Sequence, residues 1–216
     1  MDFSDLKHLL DQKGVDLVAV SKTKPETAIQ ELYNKGQRIF GENRAQELMG
    51  KQANLPKDIQ WHMIGHLQKN KVKYIAPFVH LIQSCDNLSL IEKINKEAIK
   101  NERIINILLQ IKIAQEESKF GYNYDLLIQD LSKIKALENI KVCGVMGMGT
   151  LTQNDETTSK EFKTLKTYFD TLKDNHFADN KDFNIVSMGM SGDYKIAIEC
   201  GSTMVRIGSL LFGSRN

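Results

Sequence analysis

The chain has 216 residues, 41% of them hydrophobic and 26% charged, with a formal net charge of +2. That balance is that of an ordinary folded protein and excludes a nucleic-acid surface driven by bulk charge. Cys85, Cys143 and Cys200 are far apart and odd in number, which excludes a disulfide framework or a zinc knuckle and points to a reducing cytoplasm.

From the amino terminus onward, Met1-Asp-Phe-Ser-Asp-Leu-Lys carries acid where a signal peptide needs base. No apolar stretch reaches the length of a membrane span. Short apolar runs then alternate with longer amphipathic ones, the pattern of β-α units around a parallel sheet. The predicted strands are Leu17–Lys22, Arg38–Asn43, Ile59–Gly65, Leu81–Cys85, Ile105–Ile113, Val142–Gly149, Asn184–Met190 and Met204–Phe212. Each is near-continuously apolar, as a strand covered on both faces should be.

Between the strands, Leu88, Ile91, Ile94 and Ala98 recur at helical spacing behind Asn87, placed as an N-cap. Tyr124–Leu137 aligns Leu127, Leu131 and Ile134, and Thr157–Leu172 aligns Phe162, Leu165 and Phe169. The charged stretch Asp174–Asp182 reads as a surface loop. Eight strands with intervening helices predict one (β/α)8 barrel domain over residues 1–216, with an extra helix at its amino terminus. An open doubly wound sheet is the alternative.

In such a barrel, chemistry sits at the carboxyl ends of the strands. Lys22, Asn43, His62, His66, Ser191, Arg206 and Ser209 fall there. Lys22 is in phase with Val18 and Val20 and so points inward, whereas Lys24, beside Pro25, should face solvent. A lysine against apolar walls loses ammonium solvation, and its neutral amine can attack an aldehyde. Lys112 is the rival inward lysine.

Ser187-Met-Gly-Met-Ser-Gly-Asp193 and Arg206-Ile-Gly-Ser209 follow the seventh and eighth strands. Small residues there let backbone N–H groups approach a phosphate, a position barrels often use for that purpose. The bland alternative is tight turns and a helix cap. Arg206, between Val205 and Ile207, needs a partner: a structural salt bridge or a ligand atom. His62 and His66 are four apart across a strand ending in Gly65, the wrong geometry for a metal pair.

Taken in order, Ala19-Val-Ser-Lys-Thr-Lys-Pro25, Phe40-Gly-Glu-Asn43, Trp61-His-Met-Ile-Gly65, Leu67-Gln68, Asn70-Lys71, Ser187-Met-Gly-Met-Ser191 and Gly201-Ser-Thr-Met-Val-Arg-Ile-Gly208 resemble the pyridoxal-phosphate homeostasis protein family over nearly the whole chain. The resemblance implies a barrel similar to the amino-terminal domain of alanine racemase. It implies pyridoxal 5′-phosphate (PLP) bound covalently to Lys22 as a Schiff base. By the same resemblance Ser191, Gly208 and Ser209 hold the phosphate, Arg206 faces the pyridine nitrogen and Asn43 lines the site. His66 stands where a proline is common, Gly192 replaces a frequent aspartate, and Met146-Gly-Met-Gly-Thr150 lacks the usual proline. These departures bear on the shape of the pocket.

The family is understood to bind PLP and hand it on within vitamin B6 balance, without an established reaction. The expectation is therefore a cytoplasmic, monomeric PLP carrier, not an enzyme, with PLP-dependent apoenzymes as recipients and no nucleic-acid, membrane or metal partner. An arginine facing the pyridine nitrogen leaves that nitrogen unprotonated and the electron sink weak, and the second domain that completes alanine racemase is absent. The alternatives are a PLP-dependent racemase or lyase with His62 as a second base, and a barrel enzyme acting on a phosphorylated sugar.

Overall fold

The computed structural model describes residues 2–116 and 120–213. In chain order the elements are α1 (Phe3–Gln12), β1 (Asp16–Val20), α2 (Glu26–Asn34), β2 (Ile39–Glu42), α3 (Ala45–Asn54), β3 (Gln60–Met63), α4 (Val72–Ile75), β4 (Leu81–Cys85), α5 (Leu88–Lys100) and β5 (Ile105–Gln110). There follow α6 (Tyr124–Lys135), β6 (Ile140–Met146), α7 (Asp155–His176), β7 (Ile185–Ser187), α8 (Tyr194–Glu199), β8 (Met204–Ile207) and α9 (Ser209–Phe212). The strands form a closed, all-parallel barrel in sequence order, with β8 pairing back onto β1. This is the expected (β/α)8 barrel, with α1 as the extra helix. Among the described residues no helix is long and apolar enough to cross a membrane.

Helix starts follow from short polar side chains that satisfy orphan N–H groups. Asp2 and Asp5 form a capping box on α1. Asn87, Asn123 and Asn154 accept backbone N–H bonds at the starts of α5, α6 and α7. The apolar stripes of these helices bury Leu90, Ile91, Ile94, Leu127, Leu131, Phe162, Leu165 and Phe169 against the outer face of the sheet. A separate cluster of Val18, Leu81, Leu108, Cys143, Met146 and Met204 fills part of the barrel interior. Alternation is clean in β8, where Val205 and Ile207 join the outer core while Met204 lies in the inner cluster.

Most strands are shorter than the apolar runs predict, because the carboxyl-terminal residues of each run turn off the ladder into βα loops. β1 stops at Val20, where the Ser21 carbonyl closes a turn with the Lys24 N–H. β8 stops at Ile207, and residues read as its continuation wind into α9. α7 extends to His176 and so takes up the start of the charged stretch expected as a loop.

The β5–β6 ladder shifts register between Ile107 and Leu108, next to Gly144 at φ 147°. A Cβ on Gly144 would lie 1.9 Å from the Ile185 carbonyl oxygen of β7. No side chain fits there without parting two strands. Gly144→Ala should therefore cost about 3 kcal/mol or more, read as a lowered urea midpoint at unchanged slope.

Candidate functional site

At the carboxyl ends of the strands lies a cavity of about 700 Å³, a size suited to a cofactor or metabolite. Lys22 and Asn43 line it, as do Ser191, Arg206, Gly208 and Ser209, so every residue predicted for the site reaches one cavity. The inward phase of β1 holds past its end: Val18 sits in the interior cluster while Val20 and Lys22 line the cavity above it.

Lys22 occupies a turn whose neighbours are fixed. Ser21 is fully buried, its N–H donating to the Gly41 carbonyl and its hydroxyl to Glu42 Oε1 at 2.6 Å. Asn43 follows Glu42 at the end of β2. The chain after β3 comes so near it that a Cβ on Gly65 would lie 2.5 Å from the Asn43 carbonyl oxygen. Glycine at 65 is what allows this approach.

The other lysines differ from expectation. Lys24 does not point to solvent: it lines the cavity, and its Nζ donates to the Phe212 and Gly213 carbonyls at 2.9 and 3.4 Å. A cation so close to the end of α9 satisfies carbonyls that the last turn leaves open. Lys112 lies beyond the end of β5, where Gln110 lines the cavity in its place.

Arg206 is 4% exposed and takes the partner that its burial demands from neutral groups. Nη1 donates to Ser187 Oγ at 2.7 Å and Nη2 to the Gly147 carbonyl at 2.9 Å, which uses two of its five N–H donors. Both of these acceptors are neutral, so neither bond is the structural salt bridge that was one of its two expected partners. Burial lowers its pKa to about 10, partly opposed by Asp193, so it stays protonated at neutral pH.

A file of hydrogen bonds descends from Arg206 into the barrel. A guanidinium only donates, so Ser187 accepts from it and passes its own proton to Gln83 Oε1 at 2.7 Å. That orients the Gln83 amide nitrogen toward His62 Nδ1 at 3.0 Å, which must accept and leave the imidazole proton on Nε2. His62 is thus a neutral interior residue, stacked on His80. Burial first, and the charge of His80 second, lower its pKa to about 3. The reading of His62 as a base of the pocket is overturned, because its strand phase aims it into the barrel floor.

Two loops meet above Arg206. Ser191, after β7, accepts the Gly208 N–H, after β8, at 3.2 Å. Gly189, in the turn before Ser191, adopts φ 95°, and a Cβ there would lie 2.5 Å from Ala197 Cβ. Gly192, where the sequence departs from the usual aspartate, borders open space. The departing Met146–Thr150 segment is anchored by Glu161, whose carboxylate accepts from the N–H and hydroxyl of Thr150 at 2.7 and 2.6 Å.

The opposite wall combines His66, expected at this face, with Phe120, Leu151 and Met190, which sequence reasoning did not single out. His66 lines the cavity, bonds Asp86 through Nδ1 at 3.1 Å, and stacks on Phe120 with centroids 3.9 Å apart. Met148, Leu151 and Met190 complete an apolar rim. These come from loops whose approach no periodicity encodes.

A closed parallel barrel with an inward lysine after its first strand and paired small-residue loops after its last two defines a class shared with alanine racemase. Residues 3–216 match the family described as "Alanine racemase, N-terminal domain". Alanine racemase of Clostridium difficile shares the fold, with a TM-score of 0.76 at 16% identity, over 100% of this chain and 61% of that one.

Much nearer are proteins named "Pyridoxal phosphate homeostasis protein". That of Aquifex aeolicus is 39% identical over 92% of this chain and 86% of its own, and that of Haemophilus influenzae 36% over 95% and 87%. PipY of Synechococcus elongatus without PLP superposes with a TM-score of 0.89 at 34% identity, over 97% of this chain and 99% of that one. Its form with PLP bound gives 0.87 at 33%, over 97% and 99%. The chain belongs to the pyridoxal phosphate homeostasis protein family.

His62 is neutral when folded and titrates near 6.5 when unfolded. Because the unfolded chain binds the extra proton, His62's contribution to stability is complete above that value and is lost as pH falls toward about 3. Its full span is on the order of 5 kcal/mol. Denaturant titrations between pH 7 and 4 should show this loss, and it should be smaller in His62→Gln.

Proposed function

We propose that this chain binds PLP in the barrel-top cavity, as a Schiff base on Lys22, and serves to hold and release the cofactor. The observation that carries the reading is the convergence of three chemistries on one cavity: an inward primary amine, a protonated guanidinium and the joined loops after β7 and β8. The donor set fits the group. An amine suits its aldehyde, the Ser191 and Ser209 hydroxyls with the Gly208 N–H suit its phosphate, and Arg206 suits a pyridine nitrogen that accepts. Asn43 lines the site between Lys22 and the β3 loop. The names of the relatives and the PLP-bound form of PipY support the choice of PLP as the ligand.

When bound, the cofactor supplies a reactive aldehyde and an electron-poor ring. What the protein's own groups do argues for storage over turnover. Arg206 holds its proton and donates a hydrogen bond, so the facing nitrogen is left neutral. His62, the second base of the enzymatic alternative, lies below the cavity and stays uncharged. Release to PLP-dependent apoenzymes is the role consistent with both facts. One observation favours a racemase or lyase instead: His66, held by Asp86, is an acid-base group on the cavity wall. Lys22-dependent exchange of an amino acid's α-hydrogen for solvent deuterium would establish that reading.

The carrier reading is tested by borohydride reduction of the purified protein followed by peptide mass spectrometry. A pyridoxyl adduct is expected on the peptide containing Lys22, with the visible absorbance lost in Lys22→Ala. An adduct on Lys24 or Lys112 would move the attachment point and overturn the assignment.

A further inference from the structure

The turn that carries Lys22 is gripped from behind by three side chains that do not line the cavity. Lys51, on α3, has a side chain only 7% exposed. Its Nζ donates to the Ser21 carbonyl at 2.8 Å, to Glu42 Oε1 at 2.8 Å and to Glu47 Oε1 at 2.6 Å, which uses all three donors of an ammonium. The two carboxylates in turn hold the residues either side of Lys22. Glu42 Oε1 accepts the Ser21 hydroxyl, and Glu47 Oε1 accepts the Thr23 N–H, both at 2.6 Å.

Thr23 shows what this grip does. Its φ is +64°, a left-handed conformation costly for a β-branched residue and one that persists only where the surroundings over-determine it. A buried ion cluster is a poor device for stability alone, since desolvation cancels most of its attraction. Glu42 is the extreme case: its side chain is fully buried, and its Oε2 has no hydrogen-bond partner among the described residues. The return on such a cluster is geometry: residues 21 and 23 are fixed in position, and residue 22 with them.

We propose that Glu42, Glu47 and Lys51 are positioning residues that set the Lys22 amine at the distance and angle required for bond formation with an aldehyde. The inference rests on the assignment of Lys22 as the attachment point. In that step the neutral Lys22 amine adds to the aldehyde carbon, and the aldehyde oxygen departs as water carrying both amine hydrogens. A misplaced amine loses this covalent contribution while the phosphate and ring contacts stay intact.

Glu47→Ala, at a partly exposed position, removes the acceptor of the Thr23 N–H. Glu47→Gln restores an acceptor oxygen, and Lys51→Met removes the hub. Each is titrated with PLP, followed by visible absorbance, and with pyridoxine 5′-phosphate, whose alcohol cannot form the bond, followed by calorimetry. Glu47→Ala and Lys51→Met should weaken PLP binding roughly tenfold or more. Pyridoxine 5′-phosphate affinity should stay within about twofold of the parent, and Glu47→Gln should recover most of the PLP affinity. Equal weakening of both ligands, or no weakening of PLP in Glu47→Ala, overturns the proposal. Should Lys51→Met not fold, the Glu47 pair decides. Lys22→Ala, run in parallel, separates the two layers. Visible absorbance that survives in it overturns the attachment itself, whereas absorbance lost there but unchanged in Glu47→Ala overturns only the positioning role.

Discussion

Closure of the sheet between its first and last strands is the constraint on which the site depends. Main-chain bonds set Val18 opposite Arg206 and Ala19 opposite Ile207. That register delivers the turn after β1 and the loop after β8 to the same rim, though most of the chain separates them. A Cβ on Gly208 would press to 3.2 Å from the Val20 carbonyl oxygen, so the two ends meet closely. A slip of β8 by one residue against β1 would exchange inside for outside along β8 and send Arg206 into the helical layer.

The interior of the barrel is divided between two kinds of filling. Aliphatic and sulfur side chains occupy one part, and the polar file from Arg206 to His62 the other. Each link of the file has a determined direction, and it ends at His62, whose buried Nε2 has no hydrogen-bond partner among the described residues. It also makes the guanidinium a fixed feature of the cavity floor. A long, flexible side chain that could sample several rotamers is reduced to one.

Much of this was legible in the chain itself. The barrel followed from eight apolar runs, and the inward face of Lys22 followed from its phase with Val18 and Val20, because the alternation of β1 carries through residue 22 before the chain turns at Thr23. What was not legible lies in the turns. Thr23 takes a left-handed conformation without a glycine to announce it. Lys24 looked like a solvent-facing neighbour of Pro25 because its acceptors, at Phe212 and Gly213, are brought near only by the closed fold. Glu47 and Lys51 have the i, i+4 spacing of any exposed helix pair, and nothing local distinguishes them from one. His62 was misread for the opposite reason: proximity to Gly65 suggested the rim, whereas its pairing with Gly41 and Leu81 sets it lower in the sheet.

The bond between Ser191 and the Gly208 N–H has a consequence for any anion that occupies the cradle. The donor is already engaged, so an arriving oxygen competes with the serine hydroxyl and gains only the difference between two similar bonds. The reverse exchange is equally easy, because the departing group leaves behind loops that can close on each other instead of on nothing. A cradle whose donor is satisfied when empty therefore holds an anion less tightly than an unpaired N–H would.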